Sequence, residues 1–159
     1  MWDLKVGYEL VRTAADIAAK TAQQAQEWLS EGKEISEFGP IAKEEQVAIL
    51  RQRINANTSK MAALGTKYRA KHPKVVQTLT ELQADAQKLR DEADRVYRAL
   101  LAEAEREKSR EVEALRKYKE AETRVFALGD AKIEYDIMEQ KLKRVELIYQ
   151  TILSKAREF

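Results

Sequence analysis

A heptad repeat of apolar residues is the feature of this sequence that most limits what it can fold into. From Val75 to Leu100, apolar residues recur at alternating spacings of four and three without a break. The repeat consists of Val75, Leu79, Leu82, Ala86, Leu89, Ala93, Val96 and Leu100. This spacing places the side chains in one stripe along an α-helix. Because a single helix cannot bury its own stripe, the repeat predicts helices that pack against partner helices.

Comparable repeats run through the rest of the chain. The first segment carries Leu10, Ala14, Ile17, Thr21, Ala25 and Trp28. The second carries Val47, Leu50, Ile54, Asn57, Met61, Leu64 and Tyr68. The last carries Tyr135, Met138, Leu142, Val145, Tyr149, Ile152 and Ala156. With five glycines, two prolines, 35% charged residues and no strand-like alternation, the sequence predicts an all-α protein.

Glycine and proline mark the predicted ends of these helices. Gly32 predicts a C-terminal cap for the first helix, and Ser36 to Pro40 is interpreted as a linker. His72 ends the second helix, since the residue before a proline is disfavoured in helical geometry, and Pro73 opens the third. At Gly129-Asp130 the pattern is interrupted, and the sequence leaves open whether the chain kinks or reverses.

These boundaries predict four helices over approximately residues 3–31, 41–71, 73–128 and 131–158. We expect a long antiparallel helical hairpin or coiled-coil bundle of three to four helices. Residues 1–159 would form a single elongated helical domain.

Two polar features interrupt the apolar pattern. Asn57 stands in the seam of the second helix, where an asparagine either fixes the register with a partner helix or faces solvent. Residues 103–113 are almost all charged and alternate in sign. We expect that run to be an exposed stretch of helix stabilised by its own pairs. The pairs at helical spacing are Glu103/Arg106, Glu107/Arg110 and Glu113/Lys117.

The residue inventory argues against an enzyme. The chain has no cysteine and one histidine, His72, which lies at a turn and is interpreted as structural. Its five glycines are scattered, so they cannot form a phosphate-binding loop, and the Glu-x-x-His pairs of helical di-iron sites are missing. We predict a non-catalytic protein with no cofactor. A site made only of carboxylates is the one enzymatic alternative.

The junction between the second and third predicted helices is strongly basic. Lys67, Arg69, Lys71 and Lys74 cluster there, with Tyr68 among them and His72 beside them. One interpretation is a turn that binds anions or a partner. The other is that a basic helix faces an acidic one, using acids that follow in the sequence. Those acids are Glu81, Asp85, Asp91, Glu92 and Asp94. One tyrosine and four cations fall short of a nucleic-acid surface, so no nucleic acid is expected.

The same junction resembles a signature of a known family. Residues 64–76 read Leu-Gly-Thr-Lys-Tyr-Arg-Ala-Lys-His-Pro-Lys-Val-Val, similar to the Tyr…Lys-His-Pro-Lys-Val turn of bacterial polysaccharide co-polymerases. These are the chain-length determinants and the tyrosine-kinase-linked exopolysaccharide export proteins. Residues 133–155 are similar to that family's last long helix, and Ala25-Gln-Glu-Trp-Leu29 more loosely to its Trp-Leu helix.

The resemblance implies a periplasmic helical portion of an inner-membrane protein. Such proteins project from the membrane, self-assemble into rings and influence how long an exported polysaccharide grows. Anionic polysaccharide and other export-machinery proteins become candidate partners, with the candidate binding turn formed by Lys67, Arg69, Lys71, His72 and Lys74. The family's membrane helices and membrane-proximal α/β domain have no counterpart here, so we expect a soluble fragment of a larger membrane-anchored protein, with no direct membrane insertion.

Two other non-catalytic functions remain open. A generic coiled-coil scaffold or tether would form dimers or trimers through its helix faces. An adaptor hairpin of an export pump would instead dock through the tip at His72-Pro73.

Overall fold

The computed structural model describes residues 2–158, and every regular element in that range is helical. The elements are α1 (Trp2–Ser30), a 3₁₀ turn (Ile35–Glu37), α2 (Gly39–Ala42), α3 (Glu45–Gly65) and α4 (Pro73–Glu158). The all-α class predicted from the sequence is therefore confirmed. None of the helices described is both long and apolar enough to cross a membrane.

The chain divides into two compact units. The larger unit is Leu10–Glu111, and the smaller combines Met1–Glu9 with Val112–Phe159. The hydrophobic core lies in the larger unit. Its buried residues are Ala25, Phe38, Ile41, Val47, Ala93 and Val96, with Trp28, Ile35, Leu89, Tyr97 and Leu100 packed against them. These residues come from α1, the connection after it, α3 and α4, so one core joins all of these elements.

The end of α1 is closed by a glycine cap. Gly32 has φ +73°, a left-handed conformation that costs glycine little because it has no Cβ. The Gly32 amide donates to the Leu29 carbonyl at 3.0 Å, and the Lys33 amide donates to the Trp28 carbonyl at 3.3 Å. This pair of bonds is a Schellman motif. The predicted cap at Gly32 is confirmed.

The segment interpreted as a linker is instead part of the core. Ser36 and Phe38 are buried, and Ile41 in α2 has no exposed surface. The Trp28 indole donates to the Glu34 carbonyl at 2.8 Å, and the Trp28 and Phe38 rings lie 5.9 Å apart. Gly-Pro at 39–40 therefore opens a short helix that is held in place by burial of its apolar neighbours.

The predicted helix boundaries differ from the structure in two places. The helix predicted over 41–71 is divided into α2 and α3, because Glu44 is extended, and α3 ends at Gly65. The predicted break between residues 128 and 131 is not observed, since α4 continues through Gly129-Asp130 to Glu158, which excludes a chain reversal there. An isolated glycine inside a helix costs only about 1 kcal/mol relative to alanine, and the long helix-forming segments on both sides tolerate that cost.

The helical seams were predicted with mixed success. In α3 the predicted seam residues from Val47 to Leu64 are buried or half-buried as expected. In α1 the prediction is confirmed at the end of the helix, where Ala25 is buried and Trp28 packs against the core. It is wrong earlier in the helix, because Leu10 and Ile17 are 68% and 62% exposed while alanines are buried. The buried alanines are Ala15, Ala22 and Ala25. Small side chains allow helices to approach closely, and a hydrophobicity pattern that favours large residues misses them.

Within the larger unit, α3 and the first part of α4 run antiparallel. Asn57 contacts Asp85, whereas Leu50 lines a cavity of about 330 Å³ with Asp91 and Arg95. As residue numbers fall along α3, the numbers of the facing α4 residues rise. The chain reversal between the two helices lies in residues 66–72.

The charged stretch of α4 is stabilised by its own side chains, as predicted. Ion pairs form between Glu103 and Arg106, between Glu107 and Arg110, and between Glu113 and Lys117. The Arg116 guanidinium also hydrogen-bonds Glu113 and lowers the pKa of that carboxyl. The stretch is not uniformly exposed, however, because Glu107 is buried.

Candidate interaction sites

Within residues 2–158, no group of three or more histidine, cysteine, aspartate and glutamate side chains could hold a metal ion. Two surfaces remain as candidates for function. One is the basic turn, defined as residues 67–74 between α3 and the first turn of α4. The other is an exposed apolar stripe in the last third of α4.

The backbone of the basic turn is tightly hydrogen-bonded. The Tyr68 amide donates to the Leu64 carbonyl at 2.8 Å, and the His72 amide donates to the Arg69 carbonyl at 3.0 Å. The His72 carbonyl accepts from the amides of Val75 and Val76 at 2.9 and 3.0 Å. The turn thus leads directly into the first hydrogen-bonded turn of α4, where Pro73 costs no hydrogen bond.

An aromatic pair organises the side chains of this turn. The Tyr68 and His72 rings stack with centroids 4.0 Å apart and planes inclined by 24°. The Lys74 ammonium lies 5.9 Å from the Tyr68 centroid, within reach of a cation–π contact. The Lys74 amide donates to Nδ1 of His72 at 3.3 Å. His72 therefore acts as a cap of α4, in keeping with its interpretation as a structural residue.

The cations of the turn have no acidic partner in the part of the chain that the structure describes. Lys67, Arg69, Lys71 and Lys74 are all exposed, and none of them forms an ion pair with residues 2–158. The predicted acids are engaged elsewhere. Asp85 pairs with Arg53, Glu92 with Arg95, Asp94 with Arg98, and Glu81 and Asp91 accept from Gln77 and Gln87.

The alternative interpretation was that acids of the following helix neutralise the basic residues before it. That interpretation applies to a cation of α3 but not to the cations of the basic turn. Arg53 of α3 reaches Asp85 of α4 at 3.0 Å, whereas the four cations of the turn remain open to solvent. A cluster of unpaired cations produces a local positive potential that attracts anions. The five predicted site residues are therefore brought together in one exposed turn.

A polar cluster around the buried Asp85 links α3 to α4 and was not predicted as such. Asp85 is 1% exposed, and Arg53 contacts its Oδ1 at 3.0 Å while the Asn57 amide donates to Oδ2 at 3.5 Å. Asn57 thus faces the partner helix and not solvent, which supports its interpretation as a residue that fixes register. The sequence signal for this role was that Asp85 immediately precedes Ala86 of the predicted seam, which places its carboxylate close to the helix interface.

The second surface is the α4 seam, defined as Tyr135, Met138, Leu142, Val145, Tyr149 and Ile152. Each of these six side chains is between 59% and 66% exposed. Every residue from Thr123 to Glu158 is exposed. Within the smaller unit, α1 contacts α4 near Tyr118, whose ring stacks on Tyr8 at 6.1 Å. The seam itself has no partner among the described residues of that unit.

No protein-family model, curated protein or solved structure matches this chain significantly. What the chain presents for interaction is the basic turn and the α4 seam. One presents unpaired positive charge around an aromatic pair, and the other presents a regular apolar stripe.

Proposed function

We propose that this chain is a non-catalytic helical module of a bacterial polysaccharide chain-length determinant. It acts in the periplasm, as part of an inner-membrane protein, by self-assembly and by contact with the polysaccharide being polymerised and exported. The observation that carries this proposal is the basic turn, whose four cations have no acidic partner in residues 2–158. The Lys-His-Pro-Lys-Val sequence of that turn is also the basis of the family resemblance.

The chemistry of the turn suits an acidic polymer. Lys67, Arg69, Lys71 and Lys74 can each form a charge-assisted hydrogen bond with a carboxylate. Because uronic acid polymers repeat their carboxylates along the chain, several of these contacts can form at once. The Tyr68 and His72 rings already stack on each other, so these two side chains have less freedom to lose on binding.

The α4 seam supports self-assembly. Large contiguous apolar patches on a protein surface often mark sites of protein–protein interaction. A heptad stripe in particular suits another helix, since it offers regularly spaced side chains for knobs-into-holes packing. The coiled-coil hairpin or bundle expected from the sequence would be completed by such a partner.

Two other functions make different demands on the same surfaces. A generic scaffold needs only the α4 seam and leaves the unpaired charge of the basic turn without a role. An adaptor of an export pump would use the turn to dock onto a channel protein. Both alternatives predict that the turn does not retain an acidic polysaccharide.

Retention on immobilised alginate, a uronic acid polymer, tests the proposed contact. We expect the chain to bind alginate but not neutral dextran, and to elute as salt screens the charges. A variant with the four cations of the basic turn replaced should not be retained. Its substitutions are Lys67→Gln, Arg69→Gln, Lys71→Gln and Lys74→Gln.

A matched control removes the same charge elsewhere. It replaces four exposed cations outside the turn, and we expect it to be retained like the unmodified chain. Its substitutions are Lys20→Gln, Lys88→Gln, Lys119→Gln and Arg124→Gln. Equal retention of the turn variant and the control would contradict the proposed polysaccharide contact.

A further inference from the structure

The α4 seam has a regular heptad register. Residues Tyr135, Leu142 and Tyr149 occupy the first apolar position of each heptad, called a, and Met138, Val145 and Ile152 occupy the second, called d. All six are exposed. In a coiled coil the residues next to these positions decide the orientation of the partner, because they face each other across the seam.

The flanking positions of this seam carry both charged and apolar side chains. Immediately before the a positions are Glu134, Lys141 and Ile148. Immediately after the d positions are Glu139, Glu146 and Leu153. Ile148 and Leu153 are themselves exposed, so the apolar stripe widens toward its end.

When a second copy packs in parallel and in register, most of these flanking residues meet a favourable partner. In that arrangement the residue before an a position lies beside the partner's residue that follows the next d position. Ile148 then meets Leu153 of the second copy, and Lys141 meets Glu146. Only Glu134 opposite Glu139 is unfavourable.

An antiparallel second copy fits the same residues less well. With Leu142 opposite Val145 of the other copy, Ile148 would meet Lys141, and Leu153 would meet Lys132. Glu139 would face Glu146, a repulsive pair. Glu134 opposite Lys155 is the single attraction gained, so the antiparallel arrangement leaves two apolar residues against lysines.

We propose that the α4 seam docks the same seam of a second copy of this chain in parallel, in-register orientation. This inference rests on the self-assembly in the proposed function and adds its partner, orientation and register.

Disulfide cross-linking tests the orientation cleanly, because the chain contains no cysteine. In a parallel, in-register pair, Ile152→Cys places the two introduced thiols in the same layer. We expect it to form a disulfide-linked dimer on mild oxidation, at least tenfold faster than Gln150→Cys on another side of the helix. Both positions are exposed, so neither substitution removes a core contact.

The alternative outcomes separate this inference from the proposed function. Cross-linking that appears only when Tyr135→Cys and Ile152→Cys chains are mixed would show an antiparallel pair and overturn the inference. No cross-linking, with a dimer detected by light scattering, would place the interface elsewhere and also overturn it. A monomer in light scattering at every concentration would overturn the self-assembly itself.

Discussion

At the scale of single residues, Asp85 is a buried acid that contacts two side chains of α3. Its carboxylate is buried, yet both oxygens have partners on α3, one from Arg53 and one from Asn57. A slip of α4 along α3 by one helical turn would leave this charge buried and unpaired. Such an unpaired charge is costly, so the cluster specifies one register.

Replacing Asp85 with alanine should therefore destabilise the chain more than an ordinary surface substitution. We expect Asp85→Ala to lower the free energy of unfolding by about 1–3 kcal/mol, since it leaves polar groups of α3 without their acceptor. Asp91→Ala is the matched control, because Asp91 is exposed and accepts only from Gln87 of its own helix. It should change the free energy by less than about 0.5 kcal/mol. Urea denaturation followed by circular dichroism measures both, and equal losses would mean that the cluster does not stabilise the helix pair.

At the scale of the elements, two glycines have opposite roles. Gly32 ends α1 with φ +73°, whereas Gly129 lies inside α4 and has no positive φ. Neither position would bring an added Cβ within 4 Å of another group. Any difference between alanine substitutions at the two sites must therefore come from backbone conformation.

These conformations predict changes of opposite sign. Gly32→Ala should lower the free energy of unfolding by about 1–2 kcal/mol, because alanine is strained in the left-handed region. Gly129→Ala should stabilise α4 by about 0.5–1 kcal/mol, because glycine loses more entropy in a helix than alanine does. Thermal melting of the helical signal measures both changes. A loss of helicity in Gly129→Ala would contradict a continuous α4.

How much of each element could be predicted depended on the size of its buried side chains. The α3 seam was predictable because Val47, Leu50 and Ile54 are large, apolar and regularly spaced. The α1 face was not, since alanines such as Ala22 contribute little hydrophobicity and mark an interface only when the partner helix is known. The burial of Phe38 and Ile41 could not be predicted either, because the segment between α1 and α3 is too short to show a repeat of apolar residues.

The candidate site was located from the sequence but its geometry was not. Pro73 and the run of cations placed the basic turn correctly. The stacking of Tyr68 on His72, and the hydrogen bond from the Lys74 amide, depend on the path of the chain through residues 66–72. The partners of the acids on α4 were likewise beyond prediction, because spacing alone does not say whether Asp85 faces α3 or solvent.

At the scale of the whole molecule, we propose that the chain associates through the α4 seam. The seam is long, regular and exposed, and the flanking residues favour a second copy of the same sequence. Lysines placed in it would have to be buried against another chain on association, at a cost of desolvation. The same substitutions outside the seam would stay in water.

Sedimentation equilibrium can measure this association with two variants that differ only in where the lysines lie on α4. The seam variant carries Leu142→Lys and Val145→Lys, and the matched control carries Ile137→Lys and Leu147→Lys, which are exposed apolar positions off the seam. We predict reversible self-association for the unmodified chain and for the control, and a monomer for the seam variant. A monomeric unmodified chain, or equal association of all three proteins, would contradict association through the α4 seam.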